Sequence, residues 1–263
     1  MIGFLLKKNF CDGWDNLLSL VVTNILFLFV GMGLVYVNFV CASYSVVFII
    51  VFAISCVILS ILYFAYGDVA ANIANFKGVR VVDYFKAIPG VLKDASLFGL
   101  LIAVICVLSF FSFNFYFLQS KSMFTFFVGA LLVWVDVFII LSLQWFVPIR
   151  SLMHNDFRKC LKKCFIIFFD NTGYSVFMGF YNLIMIALSV VLVGFIPSIA
   201  GIQVATTNAL RLRLYKYDYL EKHPEFTTKK ERKNIPWEEL IYEDRETLGP
   251  RSWKSFLFPW KDQ

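Results

Sequence analysis

Asp136 is the residue best placed to do chemistry. It is the only charge in the apolar run from Phe124 to Val147 and lies close to its middle. A run of that length is a candidate transmembrane helix. A carboxylate at mid-depth is expensive there, so it is expected to face the bundle interior with a polar partner. Three other polar side chains, Asn24, Asn182 and Gln203, fall near the middle of separate apolar runs. The pattern predicts a polar layer of Asp136, Asn24, Asn182 and Gln203. Such a layer serves either a transport path or only the hydrogen bonding that holds helices together.

Other chemistry has less to stand on. There is no Ser-His-Asp set, no HExxH and no Walker loop. His154 and His223 lie in polar stretches far apart. One carboxylate without a second acid or a metal specifies no reaction, so no enzyme is expected. The six cysteines, Cys11, Cys41, Cys56, Cys106, Cys160 and Cys164, are scattered. Cys160 and Cys164 sit one helical turn apart near His154, but no second ligand pair accompanies them, and neither metal nor cofactor is expected. The positive charge is not gathered on one soluble face and no helix-turn-helix or zinc spacing occurs, which argues against nucleic acid as a partner.

The elements around Asp136 follow from apolar runs. The chain has 263 residues, 60% of them hydrophobic and 19% aromatic, above the roughly 45–50% apolar content of soluble domains. An all-α, polytopic transmembrane bundle of about six helices is therefore expected, with a short cytoplasmic tail. Residues 1–16 read as an amphipathic lead-in, with Phe4, Leu5, Phe10 and Trp14 on lipid and Lys7, Lys8 and Asp12 in water. No small-residue cleavage site follows, so this is not a removable signal peptide. Helices are expected over about Leu17–Asn38, Tyr44–Tyr66, Ala95–Phe117, Phe124–Pro148, Tyr174–Phe195 and Pro197–Tyr215. Gly31 and Gly33 suggest close packing of the first. The stretch Gly67–Asp94 reads as amphipathic, broken at Pro89-Gly90. The sixth helix carries Gln203, Thr206, Thr207 and Asn208 and needs shielding from lipid. A five-helix reading, with this piece bent along the interface, stays open. Charge favours six: the N-terminus, the stretches after the second and fourth helices, and Arg211 to Lys216 are all basic, and an even count puts them, and both chain ends, in the cytoplasm.

Two regions result, a transmembrane domain over residues 1–215 and a cytoplasmic tail over 216–263. In the tail, Pro236 and Trp237 open a short helix to Thr247, with Glu238 and Glu239 suited to its N-terminal end. Trp253, Phe256 and Trp260 interleave with positive charge. A docked tail is expected, anchored by Trp237, Leu240, Trp253, Phe256 and Trp260, because an idle disordered tail is poor in aromatics.

Three stretches carry a resemblance: Asn24 in the first helix, Val82–Ala87 running into Leu92–Ala95, and Trp145–Pro148 followed by Asp156–Lys163. Together they resemble the YesL-like family of small bacterial integral membrane proteins, over roughly residues 3–215. The resemblance implies a multi-pass protein of the bacterial cytoplasmic (inner) membrane. It supplies no activity and no catalytic residues. Family members often accompany carbohydrate ABC transporters, which implies a membrane-protein partner of that class and a link to solute uptake. Gly78, Phe85 and Ile88 also match the spacing of the coupling loop of ABC permeases, although the acid-alanine-alanine start is absent and Pro89 comes two places early. The plainer reading of that loop is an amphipathic segment on the membrane. Two functions follow: an accessory or scaffold subunit docking a partner, or a small transporter or channel with Asp136 in its path. A water-filled cavity reaching Asp136 favours the second, and a filled bundle the first.

Overall fold

In the computed structural model, which describes residues 1–119, 122–225 and 235–251, each long apolar run forms a helix. Lipid offers no hydrogen bonds to the backbone, and a helix satisfies its own. The first two long helices are α2 (Leu17–Cys41) and α3 (Ser45–Ala74). Next, α4 (Val81–Phe113) passes into a π-helical stretch, Asn114–Gln119. Then α5 (Met123–Leu143) breaks at Gln144-Trp145 and resumes as α6 (Phe146–Met153). The last apolar helix is α8 (Thr172–Val191). Five segments, over α2, α3, α4, α5–α6 and α8, are long and apolar enough to cross a membrane. The protein is an all-α, multi-pass membrane bundle.

More polar helices complete it. These are α1 (Ile2–Asp15), α7 (Phe157–Asp170), α9 (Ser198–Lys222), α10 (Trp237–Leu240) and α11 (Tyr242–Leu248). The expected sixth helix is α9. It is too polar to rank with the five, and its neighbours α1, α2, α3, α6 and α8 sheathe it. Gln203, Thr206, Thr207 and Asn208 are all buried. Thr206 and Thr207 donate to the carbonyls of Ile202 and Gln203 one turn back, at 2.9 and 2.7 Å, which removes their need for outside partners. The division drawn at residue 216 falls within α9.

The tightest helix contact joins α3 to α4. A Cβ on Gly99 would lie 2.6 Å from the Val57 Cα, so only glycine allows this approach. Below it, the rings of Phe64, Phe98 and Phe146 meet with centroids 4.7–5.8 Å apart and pin α6 to the pair. Gly31 and Gly33, the glycines singled out in the sequence, have no neighbour within 4 Å of a built Cβ.

Several sequence expectations are corrected here. Pro89 does not break its segment, and α4 runs through it. The ring removes the amide that would bond the Phe85 carbonyl, and Phe85 and Pro89 both lie on the exposed face of α4, where that carbonyl can be met from outside the protein. Separately, Arg150 Nη2 reaches across from α6 to bind the Gly90 carbonyl at 3.0 Å. Pro148 does not end the fourth helix. It lies in the first turn of α6, where a missing N–H is harmless. The α1 helix does not lie on lipid by Phe4 and Leu5, which are buried in protein. Lys8 and Asp12, expected in water, are buried too. They satisfy each other one turn apart, which makes the face they share fit to pack on α9.

Candidate functional site

Three residues of the expected polar layer take three different sets of partners, and the side chain of the fourth takes none among the described residues. Asp136 Oδ1 accepts from Ser109 Oγ at 2.9 Å, joining α5 to α4. A cavity of about 160 Å³ lies beside it, walled mostly by Phe113, Phe117, Leu132 and Val133. Asn24 instead ties the link between α8 and α9. Its Nδ2 donates to the carbonyls of Phe195 and Pro197 at 2.8 and 3.0 Å, and its Oδ1 accepts from the Ala200 N–H at 3.0 Å. Asn182 donates to Gln144 Oε1 at 3.3 Å, and Gln144 donates on to the Ser175 carbonyl at 3.0 Å. Gln203 is fully buried against Gly67, and its amide has no hydrogen-bond partner among the described residues. Among those residues no hydrogen bond joins any two of the four.

The dense polar contacts lie at the other end of the chain's chemistry, where helices leave the apolar region. Arg150 is one hub. Its Nη1 binds Asp68 at 2.7 Å and its Nε reaches Asp94 at 3.5 Å. With the Gly90 carbonyl as third acceptor, one planar guanidinium fastens α6 to α3 and α4.

A second hub joins α1 to α9. Lys8 Nζ lies 3.0 Å from Asp12 and 3.5 Å from the Phe76 ring centroid. Asn208 Nδ2 donates to Asp12 at 2.7 Å and to Asn9 Oδ1 at 3.0 Å. Burial pushes the Lys8 pKa down and the Asp12 pKa up, each toward its neutral form, and their mutual attraction opposes both shifts.

The described part of the tail docks on this hub. Both carboxylate oxygens of Asp244 accept from Arg211, at 2.9 and 3.0 Å, and Tyr215 donates to the same group. Ile241 and Leu248 are buried beside it. Lys7 Nζ donates to the Gly249 carbonyl at 3.1 Å, and Arg251 pairs with Asp15. Of the expected anchors, Trp237 is half-buried with its ring 5.6 Å from the Arg213 guanidinium, and Leu240 is half-buried. The fully buried anchor is the next residue, Ile241. Trp253, Phe256 and Trp260 lie outside the described residues. Cys160 and Cys164 are buried on the inner face of α7, whereas His154 is exposed on the turn before it.

No family model, curated protein or solved structure matches this chain.

The arrangement itself therefore has to speak for what it does. Each hub joins one helix to another, and the strongest acceptors in them already face cations or amides. Two of these hubs carry a local signal in the sequence. Lys8 and Asp12 have the i,i+4 spacing of a helical ion pair. Asp68, Asp94 and Arg150 each stand at the polar end of an apolar run, at one level and with opposite signs.

Proposed function

We propose that the chain is a membrane scaffold or accessory subunit that docks a partner protein and performs no reaction of its own. The observation that carries this reading is the filled centre. The most polar of the long helices, α9, occupies the middle of the bundle, and Thr206, Thr207 and Asn208 bond within the chain. Asp136 stands apart, against α4, with one serine as its partner. The resemblance to the YesL-like family supports a place in the bacterial cytoplasmic membrane and a partner of the carbohydrate ABC transporter class. The basic segments at Lys7, Arg150, Arg158, Lys159, Arg211 and Lys216 support a cytoplasmic position for both chain ends.

The alternative, a small transporter or channel with Asp136 in its path, has the 160 Å³ cavity beside that carboxylate in its favour. Affinity purification of the tagged full chain from native membranes separates the two. A membrane protein retained in near-stoichiometric amount by wild type and by Asp136→Asn supports the scaffold. No retained protein, together with a solute flux in proteoliposomes that Asp136→Asn abolishes, overturns it.

A further inference from the structure

The turn between α6 and α7 and the start of the apolar part of α4 enclose a cleft of about 850 Å³. Its wall is basic. Lys93 from α4, and Arg158 and Lys159 from α7, line it and are exposed. The cleft also holds acids, but these are engaged. Asp94 faces Arg150, whose guanidinium also binds Asp68, and Asp156 lies 3.7 Å from Lys159. Lys93 and Arg158 have no carboxylate within ion-pair distance among the described residues. The cleft therefore keeps positive charge that its own acids do not cancel.

Apolar side chains stand next to that charge. Leu97 lines the cleft from α4 and is 43% exposed, and Phe157 lines it from α7. Farther along the outer face of α7, exposed Lys162 gives way to exposed Ile166 and Phe169. Cations alternating with exposed apolar groups at one level are what the membrane–water boundary favours. A cluster of Lys and Arg at that boundary suits an anion rich in acceptor oxygens.

We infer that this cleft binds a phosphate group, carried either by an anionic phospholipid headgroup or by a soluble phosphate in the same place. The inference is independent of whether the chain docks a partner.

The test uses the full chain in detergent, with native mass spectrometry for bound lipid and thermal melting for stabilisation. The probes are phosphatidylglycerol, phosphatidylcholine and inorganic phosphate. One variant combines Lys93→Gln, Arg158→Gln and Lys159→Gln. The other removes as much charge outside the cleft, by Lys77→Gln, Lys86→Gln and Lys222→Gln, all exposed. Wild type and the second variant should retain phosphatidylglycerol over phosphatidylcholine, and the cleft variant should lose about tenfold or more in affinity. Stabilisation by phosphatidylglycerol alone identifies the headgroup as the source. Stabilisation of wild type, but not the cleft variant, by millimolar inorganic phosphate identifies the soluble one. Equal loss in both variants, equal retention of the two lipids, or no stabilisation by any probe overturns the site.

Discussion

Asn24 and Asp136 look alike in sequence, each a polar residue deep in an apolar run, yet the structure gives them unequal weight. Asn24 satisfies three backbone groups on the α8–α9 link, whereas Asp136 has one serine. Asn24→Leu leaves the Phe195 carbonyl and the Ala200 N–H without that partner, at about 1–3 kcal/mol each, while the Pro197 carbonyl keeps the Gly201 N–H. Asp136→Leu gives up one hydrogen bond, a net loss of about 1 kcal/mol. Melting in detergent should therefore fall much further for Asn24→Leu, and equal shifts would show that the link does not depend on Asn24. A similar contrast applies to the buried pair on α1. Lys8→Met alone strands Asp12, and breaking a buried pair costs about 3–5 kcal/mol. Lys8→Met combined with Asp12→Leu should melt closer to wild type than either single variant. Additive losses would mean the two side chains act separately. The sequence marked Asn24, Asp136, Asn182 and Gln203 as costly residues, because a polar side chain in an apolar run is visible locally. It could not pair them. The partners of Asn24 lie more than 170 residues away in the chain, and which face each helix turns inward is decided by packing.

At the scale of elements, the apolar runs were legible and their ends were not. Length and hydropathy mark a membrane helix, but α3 continues past the apolar stretch as protein-packed helix to Ala74, and α4 begins at Val81, well before its apolar part, anchored by buried Tyr84 and Val91. There the pattern turns amphipathic and reads as loop. Pro89 added to the misreading, since a proline is a strong break signal that tertiary contacts override. Arg150 is the contact that holds this junction. Arg150→Met would leave Asp68 and Asp94 without their cation and remove the second donor to the Gly90 carbonyl. Partial exposure lets water replace some of the loss, so the expected cost is about 1–3 kcal/mol. Arg150→Lys should restore only part of it, because an ammonium cannot reach three acceptors with one planar fork. Full rescue by lysine in a melting experiment would mean the charge alone suffices.

Across the whole molecule, α1 and the described part of the tail hold each other. Asp15 and Lys7 on α1 meet Arg251 and Gly249, and Arg211 clasps Asp244 between them. Asp244→Asn should weaken the charge-assisted clasp and speed limited proteolysis between residues 235 and 251 about tenfold, as the population of the open form rises, and an unchanged rate would place the hold elsewhere. The sequence led to a docked tail through its aromatics, whereas the described anchor is an ion pair and two aliphatic side chains. The Asn24 contact has a different kind of consequence. Asn24 lies in the first third of α2, and the rest of that helix, to Cys41, extends about 25 Å beyond it. The turn it ties, around Phe195 to Pro197, therefore stops about that far short of the turn that joins α2 to α3. A bilayer core is only about 30 Å thick. With α2 spanning that core, α8 and α9 are expected to enter and leave by one face as a wedge, with the loop at its apex submerged. Gly194→Cys should resist a membrane-impermeant maleimide applied outside intact cells, while Ser43→Cys labels readily. Labelling of both from outside would make the wedge a full crossing.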